Sequence, residues 1–66
     1  MKVIVRKLAL RSSVDEHFHI EKWLKEGDEV TKVDKRKYYD GLLGNYYYQV
    51  KTKEGAIGFV RGEAIK

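Results

Sequence analysis

The sequence contains no cysteine and no proline. Without cysteine the chain forms neither disulfides nor thiolate metal sites, so its fold must rest on a small hydrophobic core. It also lacks any apolar run near the roughly 20 residues of a membrane-spanning helix, and its start lacks the apolar segment of a secretory signal. These absences predict a soluble chain, cytoplasmic if Met1 is the natural start and extracytoplasmic if it was excised from a larger secreted protein.

The length and composition favour one small globular domain. Sixty-six residues accommodate a single domain, which we expect to span 1–66, with a stability of only a few kcal/mol. Hydrophobic residues make up 42% of the chain, and five of its aromatic residues are tyrosines, which is enough for a packed core. The formal net charge of +4 permits anionic partners without requiring them.

Short apolar stretches separated by turn residues predict several β-strands. The β-branched residues of 2–10 predict a first, kinked strand in which Ile4, Leu8 and Leu10 share one side and Val3 and Val5 take the other. Asp40-Gly41 and Gly44-Asn45 are hairpin signals. Further strands and turns are predicted, in chain order, at a turn with Gly27 and Asp28, a strand from Val30 to Val33, a strand from Tyr46 to Thr52, a turn from Lys53 to Gly55, a strand from Ala56 to Arg61 and a closing piece from Ala64 to Lys66.

The segment from Ser13 to Gly27 carries two conflicting signals. Ser13 and Glu16 fit a capping box and Gly27 fits a helix stop, which favour a helix. The apolar residues scatter around a helical wheel, whereas Phe18 and Ile20 also fit an extended chain. An all-β fold and a β-α-β-β-β fold therefore both remain open at this point.

Four motifs in register resemble the bacterial SH3-like domain family. Leu8-Ala9-Leu10-Arg11-Ser12-Ser13 is similar to the family's opening motif, and the segment from Leu24 to Val30 is similar to its Leu-x-x-Gly-Asp-x-Val turn. Tyr47-Tyr48-Gln49-Val50 and Gly58-Phe59-Val60, followed by Ile65, resemble its closing pattern. The resemblance runs over nearly the whole chain and implies an all-β, five-stranded SH3-like barrel.

A barrel of this kind predicts a defined core. Gly58, inside a strand pattern, indicates a bulge or a close approach of backbones at a corner. The residues expected in the core are Leu8, Leu10, Ile20, Leu24, Val30, Val50, Val60 and Ile65.

The resemblance implies a non-catalytic binding or targeting module, monomeric and without a cofactor. Its ligand would be a peptide, a cell-wall stem peptide or a protein partner, held in a shallow groove between the first long loop and the hairpin region from Tyr38 to Tyr47. Guanidinium groups beside one tyrosine suit an anionic peptide better than the proline-rich helices of eukaryotic SH3 domains. The candidate ligand-binding residues are Arg11, Ser13, Tyr39, Tyr47 and Arg61.

A basic segment from Lys32 to Tyr39 supports a rival function, the binding of nucleic acid. Its candidate residues are Lys35, Arg36, Lys37 and Tyr38. Asp34 and Asp40 dilute the charge, and such a loop also serves to keep an edge strand from pairing with a neighbour.

The sequence predicts neither a metal site nor catalysis. His17 and His19 would project from one side of an extended chain, with Asp15 or Glu16 to assist, but a metal requires three or four placed ligands. Ser12 lies near these residues in sequence without the glycine-rich turn of a nucleophile. We therefore expect no enzyme activity.

Overall fold

The protein is a small antiparallel β-structure in a computed structural model that describes residues 1–15, 17–40 and 44–66. The strands are β1 (Lys7–Arg11), β2 (Ile20–Lys25), β3 (Val30–Lys32), β4 (Tyr38–Tyr39), β5 (Tyr46–Thr52) and β6 (Ile57–Arg61). They form one sheet in the order β2-β1-β6-β5-β3. The short strand β4 pairs with the first residues of β5, along the same edge of β5 as β3. The described ranges contain no α-helix, only a 3-10 turn at Gly62–Ala64, and thus no helix that is long and apolar enough to span a membrane.

The all-β prediction is confirmed, and the β-α-β-β-β alternative is wrong. Within the ambiguous segment, β2 pairs antiparallel with β1, which places Leu24 opposite Leu8. Pairing and burial of Leu24 override the local helix signals. Of the predicted capping box, Glu16 lies outside the described residues, while the Ser13 hydroxyl donates a hydrogen bond to Asp15 instead.

The sheet has six strands where the sequence predicted five. The additional strand, β4, forms inside the long connection between β3 and β5, where Tyr38 pairs with Tyr47 and Tyr39 with Tyr46. The Asp40 amide donates to the Asn45 carbonyl at 2.9 Å, next to the pairing. Of the predicted Asp40-Gly41 turn, Gly41 lies outside the described residues. No ladder joins β2 to β3 in the described ranges, so barrel closure is not observed there.

The N-terminal segment links β3 to the C-terminus. Val3 forms a bridge with Ile65, and the Met1 ammonium donates to the Val30 carbonyl at 3.0 Å. Val3 is only 1% exposed whereas Ile4 is exposed, so the prediction that Ile4 shares a side with Leu8 and Leu10 is wrong. A bend at Val5, between this bridge and β1, separates the two extended pieces and changes which side faces inward.

The core lies on one face of the sheet, and seven of the eight predicted members are buried. Ile20 is the exception at 41% exposure. A register shift between Leu10 and Arg11 sets Ile20 opposite Arg11, on the other face. The close approach predicted at Gly58 is confirmed, because a Cβ there would lie 2.8 Å from the Arg11 carbonyl oxygen. The buried cluster comprises Val3, Leu8, Leu10, Leu24, Val30, Val50, Val60, Ala64 and Ile65.

Candidate functional site

A second cluster of side chains covers the opposite face of the sheet, which we call the outer face. Side chains alternate along each strand, so Leu10 and Val60 point into the core while their neighbours point outward. Arg11 of β1 is the register partner of Phe59 of β6, and Tyr47 of β5 is the partner of Arg61. The pairing of three strands therefore brings these outward residues together.

The guanidinium of Arg11 is held by two aromatic rings. Its Cζ atom lies 3.7 Å from the centre of the Phe18 ring and 4.6 Å from that of Tyr47. It also donates a hydrogen bond to the Tyr47 hydroxyl, while its Nε is buried and has no hydrogen-bond partner among the described residues. Contacts with ring faces stabilise a cation. In the described ranges no carboxylate forms an ion pair with Arg11, although the Asp15 carboxylate lies near enough to interact electrostatically with this half-buried positive charge.

Tyr38 extends the aromatic cluster on the outer face. Its ring meets Phe59 edge to face, with the ring centres 5.0 Å apart. The Tyr38 hydroxyl donates to Asp34 Oδ2 at 2.8 Å, and this hydrogen bond to the carboxylate raises the pKa of Tyr38 above its usual value. We call the group formed by Arg11, Phe18, Tyr38, Tyr47 and Phe59 the Arg11 site.

The structure brings three of the five predicted ligand-binding residues together: Arg11, Tyr47 and Arg61. Tyr47 is 3% exposed, so its ring supports Arg11 from below and presents little surface of its own. Arg61 lies beside Tyr47 in the register, but its guanidinium donates to Glu63. Among the residues that the structure describes, Arg11 is thus the cation of this group that forms no ion pair with a carboxylate.

Ser13 and Tyr39, the other two predicted ligand-binding residues, contact residues outside the Arg11 site. The Ser13 hydroxyl donates to Asp15 Oδ1, which also accepts the backbone amide of His17. These bonds, the backbone one first, lower the pKa of the Asp15 carboxyl. Tyr39 is 62% exposed and pairs with Tyr46, which places it on the sheet face opposite Tyr38.

Sequence reasoning missed Phe18 and Phe59 as members of the site. Phe59 follows Gly58 and precedes buried Val60, so strand alternation in β6 indicated an outward aromatic ring. Phe18 carried no comparable signal, because its contact with Arg11 depends on how the loop between β1 and β2 folds back.

The basic segment is divided between the two faces of the sheet. Arg36 lies over the ring of Tyr38, 5.6 Å from its centre, on the side of the Arg11 site. Lys37 lies instead over Tyr46, at 4.8 Å, and Lys35 is exposed. The four predicted nucleic-acid residues therefore do not form one surface.

Lys37 and Lys32 each lie over the ring of a tyrosine on β5. The Lys32 ammonium lies 3.7 Å from the centre of the Tyr48 ring, and the rings of Tyr46 and Tyr48 meet edge to face at 5.7 Å. We call Lys32, Lys37, Tyr46 and Tyr48 the lysine–tyrosine cluster. Its two cations are each held over an aromatic ring.

His17 and His19 form hydrogen bonds within the loop between β1 and β2. The backbone amide of His19 donates to the Ser12 hydroxyl oxygen, and its Nε2 lies 2.9 Å from Glu21 Oε1. Within the described ranges no three histidine or acidic side chains converge as metal ligands, and Glu16 lies outside them.

Two shallow recesses lie near Thr52, at the C-terminal end of β5. One, of about 70 Å³, is lined in part by Lys22 and Glu54, and the second, of about 180 Å³, by Met1 and Lys51. Both include Thr52, at the end of β5 remote from Tyr47, and neither includes a member of the Arg11 site.

No protein-family model, curated protein or solved structure matches this chain.

Proposed function

We propose that this chain is a non-catalytic binding module that recognises a carboxylate-bearing peptide at the Arg11 site. The observation that carries the proposal is the Arg11 guanidinium, held between the rings of Phe18 and Tyr47 with no carboxylate paired to it in the described ranges. An arginine fixed in this way is pre-organised, so little side-chain entropy is lost when a carboxylate binds. Acidic cell-wall stem peptides and acidic segments of proteins both carry such a group.

We also propose that the sheet is the larger part of an SH3-like barrel. The order of elements supports this: the β1-β2 hairpin, a turn with Gly27 at φ 92°, then β3, the long connection, the β5-β6 hairpin, the 3-10 turn and the terminal bridge of Val3 to Ile65. In this arrangement the loop between β1 and β2 and the long connection flank the Arg11 site. The position of the Arg11 site supports a groove between the first loop and the hairpin region.

The exposed rings next to Arg11 define the ligand further. Phe18 is exposed and Phe59 and Tyr38 are half-buried, so an apolar side chain beside the carboxylate would find ring surface to contact. Tyr47 is buried, so its ring is not available as a wall against which a row of proline rings could pack. The site therefore favours an acidic peptide over a proline-rich one.

The proposal is tested by titrating the chain with three peptides: a glutamate-rich peptide, its glutamine counterpart and a proline-rich peptide. We expect the glutamate-rich peptide alone to bind. Arg11→Gln should weaken that binding about tenfold or more, because it removes a charge-assisted hydrogen bond worth about 1.5–3 kcal/mol. Arg6→Gln, which removes an exposed arginine outside the site, is the matched control and should change little.

Two results would contradict the proposal. Micromolar binding of the proline-rich peptide would show that the rings act as a polyproline groove. Equal binding of the glutamate and glutamine peptides would show that no guanidinium reads the charge.

A second candidate function is the binding of nucleic acid by the lysine–tyrosine cluster. The observation that favours it is the placement of Lys32 and Lys37 over neighbouring tyrosine rings. Basic groups mixed with aromatic side chains are typical of surfaces that bind single strands.

A further inference from the structure

We propose that the peptide ligand binds as an added strand along the free edge of β2; this inference rests on the proposed function of the Arg11 site. In the sheet that the described residues form, β2 is the outermost strand and is paired only with β1. An extended peptide that adds to such an edge gains main-chain hydrogen bonds, and its alternate side chains reach one face of the sheet.

The backbone of β2 directs hydrogen-bonding groups away from β1. The Lys25 amide donates to Asp28 Oδ2 at 2.9 Å, and the Lys25 carbonyl accepts from the Asp28 amide at 3.1 Å. Both groups of Lys25 thus point away from β1. Because residues of an antiparallel pair alternate in this respect, the amide and carbonyl of Trp23, two residues earlier, also point away from β1. No strand of the described ranges pairs with them.

The outer face beside this edge is rich in positive charge. Lys7 and Lys25 are direct register partners, and neither side chain forms an ion pair with a carboxylate in the described ranges. Like charges directly opposite each other repel. Arg11 lies further along the same face of β1, opposite Ile20, so the outer face has cations near both ends of β2. An added strand with acidic side chains on the outer face would neutralise them.

Exposed apolar side chains lie between these cations. Trp23 is 51% exposed, pairs with Ala9 and has the Lys7 ammonium 4.3 Å from its ring centre. Ile20 is exposed opposite Arg11, and Phe18 stacks on that arginine. The strip from Trp23 to Phe18 leads from the lysine pair to the Arg11 site. Charge complementarity along this strip therefore favours an extended, acidic peptide as the ligand.

The experiment uses a short peptide of alternating glutamate and threonine, together with two versions that are N-methylated at the odd or at the even residues. An added strand directs alternate amides to β2, so one N-methylated version should lose binding at least about tenfold while the other keeps it. Binding of the unmodified peptide should also slow hydrogen exchange of the Trp23 amide.

The lysine pair provides the second arm of the test. The double variant Lys7→Gln with Lys25→Gln should weaken binding about tenfold, whereas the control Lys51→Gln with Lys66→Gln, on exposed lysines outside β2 and the Arg11 site, should change it little. Arg11-dependent binding of the unmodified peptide with equal affinity for both N-methylated versions would overturn the added strand and leave the proposed function standing. No binding of the unmodified peptide would overturn both. A stable dimer of the chain that protects the Trp23 amide would show that a second copy covers this edge and would also overturn the inference.

Discussion

Gly58 of β6 lies so close to Leu10 of β1 that a Cβ on the glycine would be 2.7 Å from Leu10 Cγ. The same Cβ would be 2.8 Å from the Arg11 carbonyl oxygen, and a backbone atom yields less easily than a side chain. This contact sets how near the two strands approach, and with it the position of Arg11 on the outer face.

The first prediction is that Gly58→Ala destabilises the fold by about 1–3 kcal/mol, because the added methyl group overpacks the core at the junction of β1 and β6. Chemical denaturation followed by circular dichroism measures the change. Ile57→Thr, at an exposed neighbouring position, should stay within about 0.5 kcal/mol and serves as the control. A neutral Gly58→Ala would show that β1 and β6 can separate at little cost.

The sequence predicted most of the core and only part of the site, for physical reasons. Leu10, Val50 and Val60 followed from strand alternation, which a strand imposes on every second residue. The exposure of Ile20 could not be predicted in this way, because a register shift depends on pairing between strands and leaves no local sequence pattern. The contact of Phe18 with Arg11 likewise depends on how the loop between β1 and β2 folds. Gly58 was predictable because a close approach requires the residue without a side chain.

The second prediction concerns Tyr47, which supports Arg11 from below. Tyr47→Phe keeps the ring under the guanidinium but removes the acceptor of its hydrogen bond, so we expect a loss of about 0.5–1.5 kcal/mol in the free energy of unfolding. Binding of the glutamate-rich peptide should change by less than about threefold, well under 1 kcal/mol. Calorimetric titration and denaturation of the same variant separate the two effects.

Tyr47→Ala is the wrong variant for a binding test. Removal of a buried aromatic ring costs about 3–5 kcal/mol, which is comparable to the whole stability expected of so small a chain. If Tyr47→Phe abolished peptide binding at unchanged stability, the hydroxyl would contact the ligand directly and the supporting role would be wrong.

The third prediction concerns pH and Asp15, whose carboxylate accepts the His17 amide and the Ser13 hydroxyl. These bonds lower its pKa below 3.8, so the carboxylate orders the loop above that pH and the order is lost as pH falls through the lowered pKa. The His17 amide resonance should titrate with a midpoint below 3.8. In Asp15→Asn this titration should disappear, and a midpoint above 3.8 would contradict the hydrogen bonds.

The fourth prediction concerns Tyr38, whose hydroxyl donates to Asp34. The bond favours the protonated phenol, so the folded pKa lies above 10.0; the stabilisation is fully present below 10.0 and is lost as pH rises through the folded pKa. An absorbance titration should detect a tyrosine that ionises above 10.0. Asp34→Asn should move that pKa back toward 10.0, while Asp28→Asn, which removes a carboxylate bonded elsewhere, should not.

The last prediction is that the lysine–tyrosine cluster binds oligonucleotides only weakly and without sequence preference. The ammonium groups of Lys32 and Lys37 already lie over the rings of Tyr48 and Tyr46, and a Cβ on Gly62 would be only 1.9 Å from Tyr46, so the rings have little free face on which a base could stack. Phosphate contacts alone remain, and their affinity falls steeply with salt.

Fluorescence titrations with a single-stranded oligonucleotide at several salt concentrations check this expectation. Exchange of Lys32 and Lys37 for glutamine should flatten the slope of log affinity against log salt by about one unit for each phosphate that these lysines no longer neutralise. The same exchange at Lys53 and Lys66 should leave the slope unchanged, since these exposed lysines lie outside the cluster. Sub-micromolar binding at physiological salt that depends on Lys32 and Lys37 would reverse the ranking of the two candidate functions, because nonspecific binding to phosphates alone gives dissociation constants of about 10⁻⁴–10⁻⁶ M.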